Sequence, residues 1–137
     1  MNIREFFKMY TEIKDNSNGR LEIGELLDKL NQFNDDDKIE FSNGKYFEGH
    51  YGSYRGYYSD LYLEFCEEDK GFNTVGFIKE ALHDALSNGT MQGYKGGDFP
   101  IDENTFTWFA EYGRGEGYEI IDVRKIDGII FVIVDKE

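Results

Sequence analysis

The chain has 137 residues, with 28 Asp and Glu against 15 Lys and Arg and a formal net charge of -13. That length fits one domain over residues 1–137, and 39% hydrophobic residues with 17% aromatics argue against disorder despite the charge. No apolar run approaches the ~20 residues of a membrane span, no secretory leader is recognisable, and Cys66 is alone, so the expectation is a cytoplasmic protein without disulfides.

The acidity has two readings. One is solubility, since a strongly charged surface keeps a small protein dispersed. The other is a protein that imitates the phosphate charge of nucleic acid and occupies a nucleic-acid-binding enzyme. Solubility is the simpler reading, because net charge alone specifies neither fold nor partner. Direct nucleic-acid binding is not expected, for no Lys/Arg cluster is present to replace condensed counterions.

Asn2 is placed to cap a first helix with Ile3, Phe6, Phe7, Tyr10 and Ile13 on one face. Lys14-Asp15-Asn16-Ser17-Asn18-Gly19 breaks it. A second helix carries Ile23, Leu26, Leu27, Leu30 and Phe33 at the spacing of a buried stripe. With Gly19 at the sixth position of a calcium loop, Asn16, Asn18 and Glu25 fall at positions three, five and twelve. The first ligand position is then Lys14, whose ammonium repels the ion, so a polar turn is expected there and no metal.

Residues 38–41 alternate like a short strand, residues 46–50 read as a further edge, and residues 60–65 place Leu61, Leu63 and Phe65 on one face. Asn73 or Thr74 caps a third helix carrying Val75, Ile78, Leu82, Ala85 and Leu86, which stops near Ser87-Asn88-Gly89. Residues 105–111 are strand-like, and residues 118–125 and 129–134 pair around Asp127-Gly128, a strong hairpin signal. The pattern predicts an α+β fold: two N-terminal helices and a mostly antiparallel sheet with one helix packed across it. Ile23-Gly24-Glu25-Leu26 and Val75-Gly76-Phe77-Ile78 echo each other at two helix starts, but a four-residue pattern does not establish a duplication.

Two segments stand out chemically. Tyr51-Gly52-Ser53-Tyr54-Arg55-Gly56-Tyr57-Tyr58 and Gly93-Tyr94-Lys95-Gly96-Gly97-Asp98-Phe99-Pro100 each combine glycines and aromatics with one cation. Tyr54, Tyr57 and Tyr94 suit stacking on a base, while Arg55 and Lys95 suit phosphate. Gly96 and Gly97 would free main-chain donors for the same anion, and Asp98 would accept from a hydroxyl or amine. The plainer alternative is a pair of hairpin tips with Lys95 paired to Asp98. Trp108 and Phe109 follow as core, pocket wall or one of each.

Enzymology is poorly supplied. His50 and His83 stand alone, Cys66 has no neighbouring cation to activate it, and no zinc, phosphate-loop or serine-elbow motif occurs. An Asp/Glu acid–base pair is not identifiable from sequence, so no catalytic residue, metal or cofactor is assigned.

The segments Ser53-Tyr54-Arg55-Gly56-Tyr57-Tyr58-Ser59-Asp60-Leu61, Thr74-Val75-Gly76 and Gly93-Tyr94-Lys95-Gly96-Gly97-Asp98-Phe99, continued through Trp108 and Ala110-Glu111-Tyr112-Gly113, resemble a group of small, mostly uncharacterised phage and prophage proteins. The resemblance spans residues 50–123 and carries no catalytic assignment. It implies an accessory protein of a virus infecting bacteria, acting in the host cytoplasm, of the kind that counters host immunity. Such proteins either sequester nucleotide signals, often between subunits, or block a host nuclease or RNA-guided effector with an acidic surface. The expectation is therefore an oligomeric, non-enzymatic binder of a small nucleotide-like ligand through Tyr54, Arg55, Tyr57, Tyr94, Lys95, Gly96, Gly97, Asp98 and Trp108. The alternative is an acidic inhibitor of a host defence protein.

Overall fold

The computed structural model describes residues 2–55, 57–93, 96–112 and 116–136. Among them the chain is α+β, with three helices and a strand-rich sheet. The helices are α1 (Ile3–Asp15), α2 (Ile23–Leu30) and α3 (Val75–Asn88). Strands β1 (Ile39–Phe41), β2 (Tyr46–Ser53), β3 (Leu61–Cys66), β6 (Thr107–Ala110), β7 (Tyr118–Ile126) and β8 (Ile129–Lys136) form one sheet in the order β1-β8-β7-β6-β3-β2. Strands β4 (Thr90–Gln92) and β5 (Asp98–Pro100) make a separate antiparallel ribbon. The main sheet is mixed, because β1 runs parallel to β8 and β3 parallel to β6.

Strand alternation gives the sheet two apolar faces. Leu26 and Leu30 of α2 and Ile78 and Leu82 of α3 join Phe41, Leu61, Leu63, Phe109 and Val132 in the principal core. On the reverse face Ile13 of α1 packs with Ile121, Ile126 and Ile133, and Tyr10 donates its hydroxyl to the Val134 carbonyl at 2.5 Å. The first two helices thus lie on opposite faces. Asn2 caps α1 as expected, its side chain accepting the Glu5 N–H at 2.8 Å. The residues tested for calcium are used as helix ends: Asn16 donates to the Glu12 carbonyl at 2.9 Å, and the Glu25 carboxylate accepts the Glu22 N–H at 2.9 Å.

The echo at the two helix starts marks a structural repeat. Helix α2, the turn at residues 34–37, β1 and the β2–β3 hairpin form one half. Helix α3, the ribbon, the turn at residues 102–105, β6 and the β7–β8 hairpin form the other. Each turn docks on the helix of the opposite half. Val75 and Gly76 donate their N–H groups to the Asp37 and Asp35 carbonyls at 3.0 and 2.9 Å. Ile23 and Gly24 donate theirs to Thr105 and Glu103 at 2.8 and 2.9 Å. The turns close alike: Asn34 N–H reaches the Asp37 carboxylate at 3.1 Å, and Asp102 N–H reaches Thr105 Oγ1 at 3.0 Å. Isolated bridges, Lys38 with Thr74 and Glu22 with Phe106, complete the correspondence.

Phe41 and Phe109, four residues beyond Asp37 and Thr105, hold the same place in the two halves. Their rings stack on each other with centroids 3.9 Å and planes 5° apart. In each half the hairpin's second strand pairs in parallel with the other half's first strand, so the halves interlock.

Both glycines stand at close approaches to backbone. A β-carbon at Gly76 would lie 3.0 Å from the Asp35 carbonyl oxygen, and one at Gly24 would lie 3.3 Å from that of Glu103. Replacing a helical glycine by alanine ordinarily stabilises by roughly 0.5–1 kcal/mol. Here Gly76→Ala forces the turn away and is expected to give a net loss of about 1 kcal/mol. Urea unfolding, followed by fluorescence of the single Trp108, checks the sign; a stabilised Gly76→Ala variant would contradict the docking.

Candidate functional site

The two Gly/Tyr segments are the main departures from the repeat. The β7–β8 hairpin turns through Asp127 and Gly128, both at positive φ (55° and 84°), as the Asp-Gly signal predicts. Its counterpart, β2–β3, instead carries the loop of residues 54–60. The second half inserts the β4–β5 ribbon between α3 and β6, where the first half passes directly from α2 through its turn to β1. The Tyr58 ring stacks against Phe99 of the ribbon with centroids 5.9 Å apart and planes at 21°. The two segments therefore meet in space.

The 54–60 loop is held by its own backbone. Tyr54 N–H donates to the Asp60 carbonyl at 2.9 Å, Asp60 N–H to that of Tyr57 at 2.8 Å, and Ser53 Oγ to that of Tyr58 at 2.5 Å. Tyr54 and Trp108 are buried and stacked, with centroids 4.2 Å apart. The Tyr54 hydroxyl accepts the Gly117 N–H at 2.7 Å. These two rings serve as the floor of the loop, and in this arrangement neither has a face open for a ligand. Tyr57 is 48% exposed and stacks on Trp108 with centroids 5.9 Å apart. Arg55 is exposed, and its charge acts on the Tyr62 hydroxyl.

At the ribbon tip Gly93 N–H donates to the Gly97 carbonyl at 2.8 Å and Gly96 N–H to that of Gly93 at 3.0 Å. Gly96 and Gly97 have φ of 86° and 91°, the left-handed region that suits glycine. The Gly96 N–H closes the turn, so it is not an open donor for an anion. Asp98 is exposed on β5, opposite Gln92. Tyr94 and Lys95 lie outside the described residues.

Sequence reasoning missed Arg20. Its guanidinium sits 4.8 Å from the Phe106 ring, 5.0 Å from Trp108 and 5.4 Å from Tyr57. It also bridges to Glu119 at 3.3 Å and to Asp60 at 3.7 Å. Its Nε is buried and makes no hydrogen bond among the described residues, its only partner there being the longer ion pair to Asp60. An isolated arginine in a turn carries no local signal; only the fold brings three rings around it. Beyond Arg20 a groove of about 490 Å³ is lined by Asn16, Asn18, Lys29, Arg124 and Asp122 among others. Asp60 accepts the Trp108 indole N–H at 2.9 Å. Burial pushes its carboxyl above the ordinary range, with the Trp108 hydrogen bond and the Arg20 charge pulling the other way.

A second cluster lies at the far edge of the same sheet. Between Phe47 and Tyr51 β2 bulges, so that Glu48, Gly49 and His50 oppose Glu64 alone on β3. His50 Nδ1 lies 2.9 and 2.7 Å from the two Glu48 carboxylate oxygens. Burial first, then the hydrogen bond with Glu48, lifts the Glu64 carboxyl to about 7. The same hydrogen bond lowers Glu48, so the two carboxyls are pushed in opposite directions.

No protein-family model matches the chain, and no curated protein or solved structure is significantly similar to it. No helix among the described residues is long and apolar enough to cross a membrane.

Asp60→Ala strands the buried Trp108 N–H and removes a partner from Arg20, so it is expected to cost about 1–3 kcal/mol in urea unfolding. The pH dependence has a definite sign. A raised folded pKa means the native state holds the proton more tightly. Stability from Asp60 is therefore greatest below its unfolded value and falls as pH rises from about 4 towards the folded value. Stability of the wild type relative to Asp60→Asn should fall over that range; a rise would contradict the burial assignment.

Proposed function

We propose that this protein binds a small phosphorylated, nucleotide-like ligand and sequesters it without turnover. The observation that carries the reading is the contact of Tyr58 with Phe99, which brings together the two segments that depart from the repeat. Arg55 and Lys95 would neutralise phosphate. Tyr57 and Tyr94 would offer ring faces to a base, with Tyr54 and Trp108 supporting them from below, and Asp98 would accept from a hydroxyl or amine. The viral accessory setting implied by the sequence resemblance makes a nucleotide immune signal the ligand class. A second copy of the chain would close the site. Exposed Ile3, Phe7 and Ile129 are in keeping with such self-association.

The acidic-inhibitor reading keeps one specific support. The acidic runs at residues 35–37 and 67–69 gather at one end of α3. There the Asp35 and Asp37 carbonyls receive the first helical N–H groups, and Asp69 accepts from Asn73 Nδ2 at 3.2 Å. On that reading, Asp36→Lys and Glu68→Lys would abolish a strongly salt-dependent partner interaction, and Lys95→Ala would leave it intact.

Calorimetric titration with mono-, di- and cyclic nucleotides tests the first reading. Arg55→Ala and Lys95→Ala are each expected to weaken binding by about 10- to 100-fold, the worth of one charge-assisted hydrogen bond, with the melting temperature unchanged. Wild-type affinity in both variants would overturn the site.

A further inference from the structure

Glu48, His50 and Glu64 each offer a ligand atom, and these atoms lie within 4.8 Å of one another. The bulge in β2 produces this convergence by setting both Glu48 and His50 against the single residue Glu64, the kind of re-aiming for which bulges are used beside functional sites. Gly49 gives the bulge its shape, with φ of 112°, and the Phe72 ring lies 3.1 Å from where its β-carbon would be. The backbone here is packed in place, and the ligand-bearing residues project from a fixed frame.

The other half of the repeat supplies an internal comparison. Strand β7 also bulges, between Ile120 and Asp122. Its carboxylate, Asp122, is neutralised by Lys29 at 3.0 Å and Arg124 at 2.8 Å. At the β2 bulge two carboxylates face each other; His50 is ion-paired with Glu48, and Lys70 acts on Glu48 through its charge alone, with no ion pair to either carboxylate among the described residues. One bulge brings its cations as side chains. The other gathers donors around a space with no lysine or arginine paired to it among those residues.

We propose that Glu48, His50 and Glu64 form a binding site for a divalent first-row transition cation of the zinc type. One imidazole nitrogen with two carboxylate oxygens is a borderline donor set. It suits zinc and its neighbours better than magnesium or calcium, which take oxygen ligands alone. Zinc bonds of about 2.0–2.2 Å hold tetrahedral donors roughly 3.3 Å apart. Small side-chain rotations therefore suffice, and His50, whose side chain is 78% exposed, is free to make one. Three protein donors leave a coordination position open to water or to an oxygen of a bound molecule. The site is distinct from the Tyr57–Arg20 cluster and does not depend on nucleotide binding.

The test uses full-length, tag-free protein stripped with a chelator and titrated with zinc alone in a non-coordinating buffer. The expected result is one saturable equivalent and a raised melting temperature. His50→Ala and Glu64→Gln, each with an unchanged circular dichroism spectrum, should each weaken binding at least tenfold and lose the thermal shift. Magnesium in zinc's place should give no comparable binding. Absence of a saturable equivalent in the wild type overturns the proposal. So does undiminished zinc affinity in both variants, which would place the ion elsewhere.

Discussion

Everything in this fold depends on two helix N-termini that find their acceptors in the opposite half of the chain. The first N–H groups of a helix have no intrahelical partner and must be satisfied from outside. Here Ile23 and Gly24 take carbonyls from the 102–105 turn, and Val75 and Gly76 take carbonyls from the 34–37 turn. The exchange places each turn before the first strand of its own half, beside the last strand of the other. Two parallel pairings follow, and Phe41 meets Phe109 between the halves. Some of the acidity also finds a local reason, because Asp35, Asp37 and Glu103 sit where the helix dipole favours negative charge.

The candidate sites lie where the halves differ. One half extends its hairpin into the 54–60 loop; the other inserts the β4–β5 ribbon, and the two additions touch. One bulge carries a neutralised aspartate, while the other gathers two glutamates and a histidine. The repeated arrangement supplies the scaffold twice, and the two halves depart from it in different places. The reverse face of the sheet is accordingly divided, with α1 covering the Ile121–Ile133 end and the Tyr54–Trp108 floor covering the middle.

Much of the scaffold was legible in sequence because it rests on local chemistry. Asn2 and Thr74 cap their helices, Gly89 ends α3 in the left-handed region, and Asp127-Gly128 turns the last hairpin. What escaped was non-local. The parallel pairings come from the exchange of turns, for which the Gly24 and Gly76 echo was the sole sequence trace. Of the aromatics singled out, Tyr54 and Trp108 turned inward and Tyr57 outward, a distinction set by packing rather than residue type. Arg20 gains its three aromatic neighbours from distant segments. Glu48 and His50 face Glu64 only because of the bulge, so no linear metal spacing announced them.

The central functional claim is that the joined loops hold a phosphorylated ligand taken from the cell. Mass spectrometry of small molecules released by denaturing the purified protein addresses it most directly, after expression in cells with active nucleotide-signalling defences. The expected result is a stoichiometric nucleotide recovered chemically unchanged. A protein recovered empty, with the signals shown to be present in the same cells, would contradict it.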